Sequence, residues 1–112
     1  MITKEQFCKV QDHALLRHSC TKEEVKRWCS QADKYGFASV CVNPCEVAVC
    51  KELLKGSKVG VGTVIGYPFG VNTAKTKIFE GLTQLTMEPM NWILLLMSQD
   101  LKKETMTTYK TN

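Results

Sequence analysis

Six cysteines and two histidines are the residues of this 112-residue chain with the most evident capacity for chemistry. The cysteines stand at positions 8, 20, 29, 41, 45 and 50, without a CxxC pair, and the two histidines lack zinc-finger spacing. Because thiolates and imidazoles bind zinc, a thiol or metal binder that uses Cys41, Cys45, Cys50 and His13 is one open hypothesis. The alternative, which we favour, is that the cysteines are small buried hydrophobes in a reducing compartment.

Charge and length narrow the class of protein. The net charge is +4, and the thirteen lysines and two arginines are spread along the chain, so we expect no nucleic-acid partner. A hydrophobic content of 44% with 23% charged residues is typical of a globular protein. With 112 residues, the chain is expected to form one domain at most, with a modest core.

Targeting and membrane signals are not found in the sequence. The first residues, MITKEQFCKVQDH, lack the continuous apolar region of a secretory signal, and the longest apolar run, WILLLM at 92–97, is too short to span a bilayer. We therefore expect a cytoplasmic protein with no membrane partner and no disulfide framework.

One helix is marked at both ends by its sequence, TKEEVKRWCSQADKYGF. Thr21 followed by Glu24 predicts a capping box, and Gly36 predicts the stop at the other end. Apolar residues recur at helical spacing between these signals, so the segment is predicted to be an amphipathic helix.

Strand-like and helix-like segments alternate along the rest of residues 11–85. ASVCVNP and KVGVGTVIG are predicted strands, and QDHALL is a candidate first strand. CEVAVCKELLKGS and NTAKTKIFEGLTQL are predicted helices, the latter capped by Asn72 or Thr73. Alternation of this kind is typical of βαβ units and a parallel sheet, which makes the chain an α/β protein.

The ends of the two clear strands indicate where a site would lie. Asn43 with Pro44, and Gly66 with Pro68, stand at the carboxyl ends of strands, where parallel α/β folds carry their functional loops. Period-two alternation places Ser39, Cys41 and Asn43 on one face of their strand. This face would point into a barrel, although a mixed open sheet fits the pattern almost as well.

The motifs FASVCVNP, KELLKGS, VGTVIGYPFG and TKIFE, in this order and spacing, resemble the amino-terminal part of deoxyribose-phosphate aldolase over residues 11–80. The resemblance implies a partial (β/α)8 TIM barrel that holds only the first three βα units. It also implies a class I lyase, in which a lysine forms a Schiff base and 2-deoxyribose 5-phosphate is cleaved to acetaldehyde and glyceraldehyde 3-phosphate. The protonated imine is the electron sink, so no metal or other cofactor is implied.

Two candidate substrate-binding residues follow from this resemblance. Asp12 corresponds to the acidic residue that ends the family's first strand, and Cys41 to a cysteine of the second strand near the substrate. Ala14 replaces the family's usual hydroxyl residue, which removes one polar contact. Asp12 as a helix cap or surface carboxylate, and Cys41 as simple barrel packing, remain open alternatives. GVGTVIG at 60–66 lies within a strand and lacks GxGxxG spacing, so we reject a phosphate loop.

The catalytic lysine is not found among the thirteen lysines. In the family, the Schiff-base lysine, a second active-site lysine and the phosphate loops belong to later strands of a barrel of about 250 residues. No catalytic residue is therefore assigned, and the partner of the intact family would be a small phosphorylated sugar or aldehyde. Lys22, Lys26, Lys51 and Lys55 lie on predicted amphipathic helices, where solvation keeps an amine protonated.

Composition changes abruptly near residue 81. Residues 1–80 contain ten valines, whereas residues 81–112 contain no Val or Ala and four of the five Met. A shifted reading frame joins the last base of each codon to the first two bases of the next codon. At four codon pairs this new codon can encode only one residue, namely Gly for Met87 with Glu88, Glu for Met90 with Asn91, Leu for Asn91 with Trp92 and Asp for Trp92 with Ile93. Permitted choices elsewhere give NGADELDIVIN over 86–97, which resembles the family's fourth strand. Residues 81–112 are thus predicted to be an out-of-frame tail.

A chain built in this way is expected to have an incomplete barrel. Its third strand would expose an edge and its inner face would meet solvent, unless WILLLM pairs there or forms a helix. We expect marginal stability and self-association through the open edge. The functional expectations are a family member that is inactive alone or, alternatively, an interaction fragment that complements a separately encoded carboxyl half.

Overall fold

The computed structural model describes residues 1–87, 92–95 and 107–110. Within these residues the strands form one sheet in the order β1 (Asp12–Leu15), β2 (Ser39–Val42), β3 (Gly60–Ile65), β4 (Trp92–Leu95) and β5 (Thr107–Lys110). Strands β1 to β4 are parallel, and β5 is antiparallel to β4. The helices are α1 (Lys4–Cys8), α2 (Lys22–Tyr35), α3 (Val47–Leu53) and α4 (Ala74–Met87).

Three βα units are present, as the sequence predicts. They are β1 with α2, β2 with α3, and β3 with α4, and a 3-10 turn at Pro44–Glu46 leads into α3. Thr73 is the cap of α4, since its Oγ1 accepts a hydrogen bond from the Thr76 amide at 3.3 Å. Helix α1 was not predicted, although Thr3 and Gln6 form a capping box at its start.

Helix α2 begins and ends where its sequence signals indicate. The Thr21 hydroxyl accepts a hydrogen bond from the Glu24 amide at 3.2 Å, and the Glu24 carboxylate accepts one from the Thr21 amide at 2.8 Å. The hydrogen bond from the Thr21 amide is the largest cause that holds the pKa of Glu24 below its usual range, and the hydrogen bond from the Arg17 side chain is the second. Gly36 ends the helix with a left-handed φ of 69°.

The hydrophobic core lies between one face of the sheet and helices α2 and α3. Val40 and Val42 of β2 are fully buried there, on the face that the period-two pattern predicts for them. Their partners come from both layers, namely Leu15, Val61 and Ile65 of the sheet and Val25, Cys29, Ala32, Val47, Cys50 and Leu54 of α2, α3 and the turn after α3. The other face of the sheet, here called the inner face, carries Asp12, Ala14, Ser39, Cys41, Gly60, Gly62 and the fully buried Val64.

The expectation that β3 has an open edge is wrong. Strand β4 pairs with β3 in parallel, with Gly62 opposite Trp92 and Ile65 opposite Leu95, so part of WILLLM adopts the pairing alternative. The prediction that the inner face meets solvent holds only for β1, where Asp12 and Ala14 are exposed. On β2 and β3 it is wrong, since Ser39 and Cys41 of β2 and Gly62 and Val64 of β3 are buried.

Most of the cysteines behave as small hydrophobes. Cys8, Cys29, Cys41 and Cys50 are buried, Cys20 is half-buried and Cys45 is exposed. Across residues 1–87, 92–95 and 107–110, no helix has the length and apolar character needed to cross a membrane.

Candidate functional site

The inner face of β1 and β2 brings a carboxylate, a hydroxyl and a thiol together. Asp12 and Ser39 are paired in register, and the Ser39 hydroxyl donates a hydrogen bond of 2.7 Å to Oδ1 of Asp12. The Cys41 thiol, two residues further along β2, lies near the same carboxylate, whose charge and hydrogen bonding raise the thiol pKa. Asp12 is exposed, whereas Ser39 and Cys41 are buried. Both residues that the sequence assigned to substrate binding, Asp12 and Cys41, therefore lie in one cluster.

The thiol of this cluster is held in its neutral form. Burial is the largest cause, and the negative charge and hydrogen bond of Asp12 add to it, so that the pKa of Cys41 is raised to about 12. A thiol in this state donates a hydrogen bond and does not act as a nucleophile near neutral pH. Cys41 can therefore shape and line the site, and its chemistry is limited to that of a weak donor.

The expected position of Asp12 along its strand is wrong. The carboxylate belongs to the first residue of β1 and not to the last, because β1 starts pairing with β2 at the register pair of Asp12 and Ser39. Strand β1 is four residues long, which at about 3.3 Å per residue leaves Asp12 roughly 10 Å from the carboxyl end. Ser39 and Gly60 are likewise the first residues of β2 and β3, so the cluster lies at the amino-terminal end of these strands and not at the carboxyl rim.

Ala14 contributes only a methyl group to this face. It is paired in register with Cys41 and is exposed, so a hydroxyl at this position would lie beside the cluster. The neighbouring positions on β3 are Gly60 and Gly62, which add no side chain at all. These two positions therefore contribute backbone only, and both are buried.

The carboxyl rim is built from the residues that follow β2 and β3, as predicted. Asn43 comes directly after β2, and its Nδ2 donates a hydrogen bond of 2.9 Å to the Arg17 carbonyl in the loop after β1. Gly66 comes directly after β3 with a left-handed φ of 69°. Asn43 thus ties two neighbouring loops together and does not project freely into a site.

A metal site built from His13 and the cysteines is contradicted by their positions. The His13 ring is stacked between Trp28 and Phe37, at centroid distances of 4.8 and 4.6 Å, on the face of the sheet opposite Cys41. Its Nε2 lies 3.3 Å from the Gln31 side-chain oxygen. Within the part of the chain that the structure describes, no three His, Cys, Asp or Glu side chains are grouped closely enough to hold a metal ion.

Sequence reasoning missed one buried amine. Lys77 on α4 is 7% exposed, and its Nζ donates a hydrogen bond of 3.0 Å to the Gly70 carbonyl in the loop after β3. The signal was available, because Lys77 shares a stripe at i, i+4 and i+7 with Gly81 and Gln84, the stripe that faces the sheet. Lys77 points at this loop and not at the Asp12 cluster.

The fold is therefore that of a partial parallel (β/α) barrel with a small polar cluster on its inner face. Among curated relatives, the deoxyribose-phosphate aldolase of Caldicellulosiruptor saccharolyticus is 52% identical over 79 residues, which are 70% of this chain and 36% of the relative. The deoxyribose-phosphate aldolase of Caldanaerobacter subterraneus is 48% identical over 86 residues, which are 73% of this chain and 37% of the relative. No protein-family model matches the chain.

Solved structures agree with this fold. A Coccidioides immitis protein described as a deoxyribose-phosphate aldolase aligns with a TM-score of 0.77 at 29% identity, over 84% of this chain and 37% of that one. The tetrameric deoxyribose phosphate aldolase of Aeropyrum pernix aligns with a TM-score of 0.79 at 24% identity, over 88% of this chain and 42% of that one. The chain is similar to deoxyribose-phosphate aldolases over about 70% of its own length, and it spans about a third of the length of the curated relatives it matches.

Proposed function

We propose that this chain supplies the first three βα units of a deoxyribose-phosphate aldolase barrel and that residues 1–112 alone do not catalyse the reaction. The observation that supports this most directly is the identity of about 50% to such aldolases, confined to about a third of their length. In the whole enzyme, a lysine would attack the substrate carbonyl and form an imine, which then accepts the electrons of the breaking carbon–carbon bond.

The proposed inactivity follows from the missing amine. An imine-forming lysine must be unprotonated and must reach the substrate carbonyl. In the described ranges, Lys77 is the buried lysine, and its amine is hydrogen-bonded to the Gly70 carbonyl instead of lying on the inner face. The inner face itself carries Asp12, Ser39 and Cys41, which can bind a polar molecule but cannot form an imine.

For the cluster we propose a binding role within the complete barrel. The Ser39 hydroxyl and Cys41 thiol would fix the orientation of the Asp12 carboxylate, which would in turn accept a hydrogen bond from a hydroxyl of the phosphorylated sugar. Because the Cys41 thiol is neutral, it would line the site without reacting with the aldehyde product.

We further propose that residues 81–112 are read out of frame after the loss of one nucleotide at about codons 80–83. The support is the recovered string NGADELDIVIN and the abrupt loss of Val and Ala. The proposed boundary falls inside α4, which continues from Ala74 to Met87. The coding DNA decides the matter, since codons that cannot spell this string in the shifted frame would end the proposal.

The inactivity is tested by incubating the purified chain with 2-deoxyribose 5-phosphate and measuring acetaldehyde release. The Caldicellulosiruptor saccharolyticus relative is the positive control, and circular dichroism verifies that the chain is folded. We expect no release above a blank without protein. Turnover that scales with chain concentration would refute the proposal.

An alternative function is that of an interaction fragment for a separately encoded carboxyl half. The observation in its favour is the exposed apolar flank of α4, formed by Ile78, Phe79, Leu82 and Leu85, whose exposed fractions are 62, 73, 55 and 46%. In a complete (β/α) barrel the next helix would pack along such a flank.

This alternative requires a neighbouring reading frame that encodes the remaining strands. Co-expression of that polypeptide with this chain should then yield a stable complex with aldolase activity. Substitution of Leu82 by Lys would be expected to prevent the association, whereas Lys75→Gln on the same helix would not.

A further inference from the structure

Two charged side chains of α4 reach the loop that follows β3. The Lys77 Nζ donates a hydrogen bond of 3.0 Å to the Gly70 carbonyl, and the Glu80 Oε2 accepts one of 2.9 Å from the Gly66 amide. These contacts hold the first and the last residue of the segment GYPFG, residues 66–70. The two side chains are three positions apart and so lie on neighbouring parts of the helix surface.

The segment itself is a narrow loop. The Gly70 amide donates a hydrogen bond of 2.6 Å to the Gly66 carbonyl, and the two glycines have left-handed φ values of 65° and 69°. Between them, Tyr67 and Phe69 are 43 and 74% exposed. The loop therefore presents two aromatic rings at the carboxyl end of the sheet, while side chains of α4 hold its two ends.

The burial of Lys77 needs a reason. Removal of an ammonium group from water is costly unless hydrogen bonds compensate it, and an apolar side chain of similar length would fill the same space at lower cost. Lys77 is 7% exposed, and its amine donates a hydrogen bond to the Gly70 carbonyl. A positioning role explains this arrangement better than packing does.

We propose that Lys77 and Glu80 form a clasp that fixes the 66–70 loop, so that Tyr67 and Phe69 are held at the carboxyl rim of the sheet. The order of the loop does not depend on the aldolase function. That the fixed loop borders the position of a phosphorylated sugar rests on the proposed function. Lys77 and Glu80 are both positioning residues, because they act through the loop.

The first test is limited proteolysis of the folded 112-residue chain with chymotrypsin. Cleavage after Phe69 reports on the loop, and cleavage after Tyr35, at the end of α2, reports on the rest of the fold. For Lys77→Met we expect the rate after Phe69, relative to that after Tyr35, to rise about fivefold or more, as loss of one hydrogen bond predicts.

Two variants control this result. Lys77→Arg keeps a cationic donor and should return the ratio to about that of the unaltered chain. Lys75→Met removes a lysine from the exposed face of the same helix and should leave the ratio unchanged. A ratio that does not change in Lys77→Met would overturn the Lys77 part of the proposal.

The second test does not depend on the folding of the Lys77 variants. Amide hydrogen exchange at Gly66 should accelerate about tenfold in Glu80→Ala, whereas Glu80→Gln, which keeps an acceptor oxygen, should retain most of the protection. Unchanged Gly66 exchange in Glu80→Ala would overturn the Glu80 part. Neither test measures turnover, so their failure would leave the proposed aldolase relationship intact.

Discussion

At the scale of single residues, the inner-face cluster shows how a carboxylate changes its neighbours. Asp12 accepts a hydrogen bond from Ser39, and its charge and hydrogen bonding add to the burial that raises the pKa of Cys41 to about 12. The folded chain thus binds the thiol proton more tightly than the unfolded chain does. Protonation of Cys41 and folding are therefore linked.

This linkage predicts a pH dependence of stability. Below the unfolded thiol pKa of about 8.5, the folded and unfolded states both hold the proton, so Cys41 does not make the free energy of unfolding depend on pH. Above this pKa only the unfolded state releases the proton, so stability falls as pH rises towards 12. Between pH 7 and 10 this loss amounts to about 2 kcal/mol. Urea unfolding across this range should show a smaller loss for Cys41→Ala than for the unaltered chain. Equal slopes would contradict the raised pKa.

The faces of β2 could be predicted from the sequence, but the partners of its residues could not. Period-two alternation correctly separates Ser39 and Cys41 from Val40 and Val42. The hydrogen bond from Ser39 to Asp12 depends on the register between two strands that are 27 residues apart, and no local pattern encodes this register. The strand end implied for Asp12 by the family resemblance was wrong, whereas the predicted strand QDHALL already places Asp12 near the start of β1.

At the scale of elements, the capping signals correctly predicted the ends of α2, whereas the sequence left open whether WILLLM pairs with β3. The capping box and terminal glycine define α2 from sequence alone. Strand β4 depends on pairing with β3, and its short apolar run fitted a helix as well as a strand. Helix α1 carries a capping box on only five residues, too short for a hydrophobic period to be recognised.

Two capping threonines provide a matched pair for a prediction. Thr21→Ala should lower the free energy of unfolding by about 1 kcal/mol, because it leaves the Glu24 amide without its acceptor at the start of a 14-residue core helix. Thr3→Ala breaks the equivalent box of α1, which packs through one buried residue, and should cost clearly less. Urea denaturation measures both. A larger effect for Thr3→Ala would contradict this account of α2.

At the scale of the whole molecule, the sheet is that of a partial (β/α) barrel. The chain spans about a third of the length of its curated relatives, and within the described ranges β1 and β5 are the edge strands of the sheet. Strand β4 covers the edge of β3 that was expected to be open, so β1 is the better candidate for contacts between copies. Unpaired edges of this kind favour association.

Self-association should therefore depend on β1. Analytical ultracentrifugation is expected to show a mean mass that rises with concentration, and Ala14→Lys, which adds a charge to the edge strand, should reduce the rise. Val71→Lys adds the same charge in the exposed loop before α4 and serves as the control. A concentration-independent monomer with sharp, cooperative thermal unfolding would show that the expectation of marginal stability and association is wrong.

The most direct measurement of the central claim is reductive trapping with borohydride in the presence of 2-deoxyribose 5-phosphate, followed by intact-mass and peptide mass spectrometry. The account predicts no stoichiometric adduct on this chain and one adduct on the Caldicellulosiruptor saccharolyticus relative treated in parallel. A stoichiometric adduct on a single lysine of residues 1–112 would contradict it, because the chain would then contain its own imine-forming amine.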